Sequence, residues 1–332
     1  MAELLQIGDY SLWDDFLGEN DVNGTVFHTT SYLLPLASSL NANLQLAVIR
    51  DGNNRIIAGC PFFTREILGV IKLSQLPYAT PFLGPVIRPR ETNIQSKKES
   101  YNTKLIKDLI EFFHARGYSY YRFVFHPSET DIREFIWNGM ESQVHFTYFT
   151  ELNDGGILDV FESSIKRQIK KAEKEDPTLV ETINEDSISD SFRLIVSSLD
   201  KQGKRFMFDP DAFSALVLEL SQRDLLKLYN IYSGNKPVAT TLVLFDEKTA
   251  YYWLAGSDPG MRQTGLNQIL IYKILEKLQK SGIERFDWFG ANTPSIARYK
   301  SKFNPVLVPY FSVQYADRKY KAMMKTKKLL NI

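Results

Sequence analysis

The sequence lacks the features that mark several classes of protein. Its 332 residues contain one cysteine, Cys60, so no disulfide can form within the chain. The four histidines are scattered and show no metal-ligand spacing: His28, His114, His126 and His145. We therefore expect neither a disulfide-stapled fold nor a metal centre. The length suggests roughly two domains of ordinary size.

Charge and hydropathy exclude further classes. The net charge is only +1, so the chain as a whole does not attract DNA or other polyanions. No apolar run reaches the ~20 residues of a membrane span, and the first residues do not show the pattern of a signal peptide. We expect a cytoplasmic protein without a transmembrane segment. The basic tail 318–332 leaves peripheral membrane contact open, beside the alternative of a docked surface helix.

Well-known catalytic motifs are also missing. The chain contains no G-x-x-x-x-G-K-[ST] loop, no G-x-G-x-x-G loop and no H-E-x-x-H helix. Cys60 lies in the apolar run IIAGCPFF, which predicts a buried strand residue rather than a reactive thiol. The residues propose no nucleophile.

What the chain does contain is one order of elements that occurs twice. The spacing of apolar residues predicts a helix over 102–116 followed by Gly117, and another over 267–280 followed by Gly282. A strand, a short helix and a strand containing Tyr-Phe come next in both halves. This order indicates a duplicated α/β unit, with chance similarity between two halves as the alternative.

The repeat predicts the fold class and the domains. We expect a mixed α/β protein made of two tandem units, 1–155 and 156–332, each a mixed sheet with helices on both faces. The two copies differ in one respect. Alignment through Ile132 and Ile296 places Ile136 of the first copy opposite Lys300 of the second. A duplicated fold often keeps its chemistry in one half, so the second unit is expected to carry the active site.

The start of the second helix is a candidate anion site. The segment 262-RQTGLNQ-268 follows a strand and a loop and opens the helix. Free backbone N–H groups at a helix N-terminus bind anions, and Gly265 would allow close backbone approach. The alternative is an ordinary first helical turn.

These residues resemble a known family. The order of strands and helices around R-x-x-G-x-N resembles the GNAT acyltransferase fold, and nearly the whole chain resembles the FemAB-like group of doubled GNAT proteins. The late stretch FDWFGANTPSIARYKSKFNP is similar to the group's F-D-x-x-G followed by F-K-x-x-F-G. Tyr299 stands here for the first phenylalanine and Asn304 for the last glycine.

The resemblance implies an acyltransferase that forms an amide on an amine acceptor in cell-envelope or polysaccharide precursor metabolism. The donor would be acyl-coenzyme A or an aminoacyl-tRNA, without a metal. The implied donor-binding residues are Arg262, Gln263, Gly265 and Asn267, the last replacing a glycine or alanine of the family's pattern. The implied partners are a small-molecule or cell-wall-precursor acceptor and, with the second kind of donor, tRNA.

The remaining site predictions concern charge and the acceptor. Lys300 is expected to stabilise the oxyanion of acyl transfer, while Arg205 and Tyr299 are expected to contact the acceptor. The alternatives are a solvated lysine and a simple loop arginine. The basic side of the helix predicted at 163–175 is either exposed to solvent or in contact with phosphates of a donor or acceptor. The competing class is a non-catalytic binding protein with the doubled GNAT fold that recognises a glycan or peptide precursor.

Overall fold

A computed structural model of the chain describes residues 1–19, 22–67, 69–152, 155–261 and 264–329. Within these residues no helix is both long and apolar enough to cross a membrane. The same residues contain no group of three or more His, Cys, Asp or Glu side chains that could hold a metal ion. Cys60 is buried in a strand, and this burial raises the pKa of its thiol.

The first half of the chain alternates strands with four helices. Its elements are β1 (Glu3–Leu4), α1 (Ser11–Leu17), α2 (Thr30–Ser39), β2 (Asn43–Arg50), β3 (Ile56–Ile67), β4 (Ile71–Gln75), β5 (Val86–Ile87), α3 (Gln95–Ala115), β6 (Tyr118–Val124), α4 (Arg133–Trp137) and β7 (Glu141–Glu151).

The second half repeats this alternation. Its elements are α5 (Ser163–Glu173), β8 (Thr178–Glu181), α6 (Glu185–Asp200), α7 (Pro210–Gln222), β9 (Leu226–Ser233), β10 (Lys236–Phe245), β11 (Thr249–Ser257), α8 (Leu266–Lys280), β12 (Arg285–Asp287), α9 (Pro294–Lys300), β13 (Val306–Ala316) and α10 (Arg318–Leu329).

The chain forms two compact units. Unit 1 contains Met1–Ala37, Asn41–His145 and the described residues from Pro309 onward, and unit 2 contains Ser38–Leu40 and Phe146–Val308. The sheet of unit 1 has the order β1-β2-β3-β4-β6-β13, with β5 also on β3. The sheet of unit 2 has the order β8-β9-β10-β11-β12-β7.

The two sheets share one topology. The only parallel neighbours among the pairings above are β4 with β6 in unit 1 and β11 with β12 in unit 2, and all the others are antiparallel. This shared order confirms the mixed α/β class and the repeat that the sequence predicted.

The unit boundaries differ from the predicted split into 1–155 and 156–332. Residues Ser312–Ala316, late in β13, pair with β6 of unit 1, and Phe149–Glu151, late in β7, pair with β12 of unit 2. The final strand of each half therefore completes the sheet that the other half began. Sequence order cannot show this exchange, because strand pairing depends on contacts far apart in the chain.

Each unit is held together by a helix packed on its sheet. In α3 the predicted apolar stripe is buried, including Leu109 and Phe113, and Phe113 stacks on Tyr121 of β6. In α8 the predicted stripe is also buried, including Ile269 and Ile274. Each fully buried side chain of this size stabilises the fold by about 1.5–3 kcal/mol before the entropy of ordering is counted.

Candidate functional site

In unit 2 one strand of the parallel pair is longer than the other. Thr249–Tyr251 of β11 pair with Arg285–Asp287 of β12, where β12 ends, whereas β11 continues to Ser257. A register shift against β10 inserts Trp253 as an extra residue and so bends β11 just beyond this pairing. The end of β11 thereby extends past its neighbour, and a cavity lies beside it.

We call this space the β11 cavity. Its volume is about 510 Å³, and its walls come from α6, β10, β11, α8 and α9. Its lining includes Tyr252 and Gly256 of β11, Asn267 and Gln268 of α8, and Ser295 and Tyr299 of α9. A cavity of this size is typical of a small-molecule site, and both polar and apolar side chains line it.

A hydrogen-bonded pair forms one wall of the β11 cavity. The amide nitrogen Nδ2 of Asn267 donates to the hydroxyl oxygen of Tyr299 at 2.6 Å. Because this oxygen accepts a hydrogen bond, the hydroxyl proton can be donated to a ligand. Burial raises the pKa of Tyr299 well above its usual value, so the hydroxyl stays protonated near neutral pH. The structure thus brings together two of the predicted binding residues.

The first turn of α8 is shaped by packing against α5. Gly265 has φ = +85°, and a Cβ built there would lie 2.1 Å from the carbonyl oxygen of Gln168. The close approach expected at Gly265 is therefore made by α5, and a ligand role for this glycine stays a prediction. Arg262 and Gln263, the other predicted donor-binding residues, lie outside the described residues.

Lys300 is buried, with 6% of its side chain exposed, so the alternative of a solvated lysine is wrong for this residue. Its ammonium group donates to the carbonyl oxygens of Trp288 at 2.5 Å and Gly290 at 2.9 Å, with Phe289 O at 3.4 Å. Lys302, two residues further along the chain, is exposed.

The backbone after β12 explains why a lysine lies there. Phe289 and Gly290 both have positive φ, 61° and 92°, so the chain turns sharply and presents its carbonyl groups inward. Lys300 satisfies these groups from α9. It lies outside the lining of the β11 cavity as far as the described residues define it. Its catalytic role stays a prediction.

Asp287 also makes a hydrogen bond to this turn. It is fully buried, and its Oδ1 accepts from the Thr147 hydroxyl at 2.6 Å and from Phe289 N at 2.8 Å. Burial raises the pKa of this carboxyl group to about 6. Burial likewise lowers the pKa of Lys300 to about 8, although the negative charge of Asp287 acts in the opposite direction.

The acceptor prediction for Arg205 is not tested by this geometry. Arg205 is exposed, and the cavity is instead lined by Ser198, Lys201 and Gln202 from the end of α6 and the turn that follows it. Sequence reasoning missed these three residues and Gln268. Gln268 directly follows the R-x-x-G-x-N pattern, so its place at the helix start was a usable signal. The α6 residues carried no such signal.

The basic helix α5 shows an apolar and a basic side. Ile165 and Ile169 are buried, and Lys170 and Lys174 are exposed. Lys166 donates to the carbonyl oxygen of Asp159 at 2.6 Å, which is a structural contact. A solvated basic face accounts for these positions, and a phosphate contact stays a prediction.

Residues 161–301 match the family model described as an acetyltransferase (GNAT) domain. A search of curated proteins found no match. The crystal structure of FemX is similar over 99% of this chain and 100% of that chain, with a TM-score of 0.68 and 10% identity.

Two further structures have related folds. A tandem GNAT protein from the clavulanic acid biosynthesis pathway is similar over 95% of this chain and 98% of that one, with a TM-score of 0.53 and 11% identity. The C-terminal domain of a candidate lysylphosphatidylglycerol synthetase from Agrobacterium fabrum covers 97% and 96%, with a TM-score of 0.58 and 14% identity. Residues 161–301 thus match a GNAT acetyltransferase domain, and the whole chain has the same fold as FemX and the tandem GNAT protein.

Proposed function

We propose that the protein is an N-acyltransferase that binds acyl-coenzyme A in the β11 cavity and transfers the acyl group to a primary amine. The observation that carries the proposal is that β11 extends past β12 beside the start of α8 and the Tyr299 hydroxyl. Three parts of a thioester donor match these three features.

The strand edge and the helix start suit the long arm of the donor. Alternate residues of a strand point their N–H and C=O groups to each side. The N–H and C=O of Ser257 bond the Ser198 hydroxyl, so the part of the β11 edge that can pair with an amide group of a pantetheine arm lies before Ser257. The N-terminus of α8 carries backbone N–H groups that have no partner within the helix, and the positive end of the helix dipole; both favour the donor's phosphates.

Tyr299 suits the reacting end of the donor. The acceptor amine attacks the thioester carbonyl, a C–N bond forms, and the C–S bond breaks. Negative charge moves first to the carbonyl oxygen and then to sulfur, and the proton lost by the amine is taken up by the released thiolate, which becomes a thiol. A neutral hydroxyl held by Asn267 can donate a hydrogen bond to this charge without reorganisation.

The class of acceptor is proposed from proteins with similar folds. The name of the Agrobacterium protein connects a related domain with lysylphosphatidylglycerol, which is an aminoacylated membrane lipid. We infer that the acceptor of the present chain is a small amine-bearing molecule or a cell-envelope precursor in the cytoplasm. An aminoacyl-tRNA is the alternative donor. The competing class is a binding protein without activity. One observation favours it: the ammonium group of Lys300 is already bonded to three backbone carbonyl groups.

The test is a mass-spectrometric transfer assay with acetyl-coenzyme A and charged tRNA side by side, using a panel of primary amines. We expect transfer from acetyl-coenzyme A, and a strong loss in Tyr299→Phe. Tyr272→Phe is the matched control, since the Tyr272 hydroxyl bonds Glu276 on α8 rather than a cavity group. Absence of transfer from both donors would favour the binding protein.

A further inference from the structure

One buried polar group in the wall of the β11 cavity has an unmet hydrogen-bonding requirement. Gln268 is 7% exposed, and its side-chain oxygen Oε1 has no hydrogen-bond partner among the residues that the structure describes. Its neighbour Asn267 differs, because its amide is bonded to Tyr299. Buried polar groups are almost always paired in folded proteins, so an exception beside a cavity calls for an explanation.

Packing does not account for this residue. Gln268 lies in the first turn of α8, whose next residues Ile269 and Leu270 are buried and apolar. A buried leucine or methionine there would avoid the cost of an unpaired carbonyl oxygen. The last bond of a glutamine side chain rotates easily, so a small rotation can turn the carboxamide oxygen toward the cavity that Gln268 lines.

We propose that Gln268 is a ligand-binding residue whose carboxamide oxygen accepts a hydrogen bond from an N–H group of the molecule bound in the β11 cavity. The inference rests on the proposed function for the identity of that molecule. A carbonyl oxygen has no proton to give, so the ligand has to supply one. Two sources provide this chemistry: an amide N–H in the arm of coenzyme A, or the amino group of an aminoacyl group.

The binding experiment separates these sources. Calorimetric titration uses coenzyme A as one probe and a non-hydrolysable alanyl-adenosine amide as the other. Gln268→Met keeps the length of the side chain and removes the acceptor, and Gln268→Leu is a second variant. We expect binding of one probe to weaken about 5- to 100-fold in both variants, which corresponds to leaving one ligand donor unpaired. The probe that weakens identifies the source.

A stability measurement without ligand provides an independent readout. Because the variants remove an unpaired buried oxygen, we expect the ligand-free protein to melt about 2–4 °C higher. Gln279→Met is the control on the same helix. Gln279 donates to the carbonyl oxygen of Gly155 at 3.0 Å, so its loss should not raise the melting temperature and should leave binding unchanged.

The outcomes are separable from those of the proposed function. If the wild-type protein binds neither probe, the proposed donors are wrong, and a raised melting temperature of the Gln268 variants still supports an unsatisfied group. If the variants bind both probes as tightly as the wild type, Gln268 is not a binding residue. If they melt lower than the wild type, its carboxamide already has a partner, and the proposal is overturned.

Discussion

The two units share a strand order but differ beside their parallel strands, where one strand of each pair extends past the other. In unit 1, β4 ends at Gln75 and β6 continues to Val124, and Leu83 then bridges Val124 with hydrogen bonds of 2.9 and 3.1 Å in both directions. Phe82 is 1% exposed and contacts the rings of Phe27 and Tyr310. The chain itself therefore occupies the edge of the parallel pair.

In unit 2 the longer strand of the parallel pair is the first one, β11, whereas in unit 1 it is the second one, β6. β11 extends beyond β12, and a cavity of about 510 Å³ lies beside it. The position that carries buried Lys300 in this unit is occupied in unit 1 by Ile136, which is 43% exposed. The comparison teaches that topology alone does not make a site. In this protein the cavity lies where β11 extends past β12.

The largest expected effect comes from the Tyr299 hydroxyl. Tyr299→Phe should lower the rate of acyl transfer about 10²-fold or more, because a positioned proton donor typically contributes that much. By the alignment, Phe135 is its counterpart in unit 1, where it is buried. Phe135→Tyr should add no activity. Release of free thiol from acetyl-coenzyme A measures both, and equal rates for Tyr299→Phe and the wild type would contradict the assignment.

The lysine that distinguishes the copies should matter for stability. Lys300→Met leaves the carbonyl groups of the 288–290 turn without their donor, so we expect a loss of about 3 kcal/mol in the free energy of unfolding. Ile136→Lys and Lys302→Met change exposed positions and should cost less than ~0.5 kcal/mol. Urea unfolding compares the three.

The same variants test the catalytic prediction. If Lys300→Met retains its fold and near-full transfer activity, Lys300 is not the oxyanion catalyst. A loss of activity larger than the loss of folded protein would support a direct role.

The buried carboxyl group predicts a dependence on pH. Burial raises the folded-state pKa of Asp287 from 3.8 to about 6, so its contribution to stability is complete below the unfolded value and is lost as the pH rises through the folded one. Asp287→Asn cannot ionise and should gain on the wild type, by up to about 3 kcal/mol, between about pH 4 and pH 7. Urea unfolding at several pH values measures the difference, and a gain that shrinks with rising pH would refute the assignment.

The smallest effects compare two glycines with positive φ in unit 2. Gly282 has φ = +81°, and no atom lies within 4 Å of the place that a Cβ would take, so Gly282→Ala should cost only the backbone strain, about 1 kcal/mol. Gly265→Ala adds the collision with Gln168 O and should cost about 2 kcal/mol. Thermal melting ranks the two, and equal costs would show that α5 moves away freely.

Much of the fold could be predicted from sequence because it depends on local pattern. The apolar spacing of 267–280 gave the helix observed at Leu266–Lys280, and Gly282 has the positive φ expected of a residue beyond a helix end. The exchange of β7 and β13 could not be predicted, since both strands have similar Tyr-Phe patterns and either sheet could accept them.

The site was predictable only in part. The helix-start motif led to Asn267, and the short helix α9 led to Tyr299. Lys300 was found because the first copy has Ile136 at the matching position. Its burial could not be predicted, because it depends on a turn in which Phe289 has a positive φ, and a phenylalanine in the sequence does not indicate such a conformation. The unpaired oxygen of Gln268 depends on what surrounds it in three dimensions.

Calorimetric titration of the full chain with acetyl-coenzyme A tests the central claim most directly, because it asks which of the two strand edges binds the donor. Ser295 is exposed at the wall of the β11 cavity, so Ser295→Trp should fill the site without disturbing the core. The account predicts one site per chain in the wild type and no binding in Ser295→Trp. Two sites per chain, or unchanged binding in the variant, would contradict it.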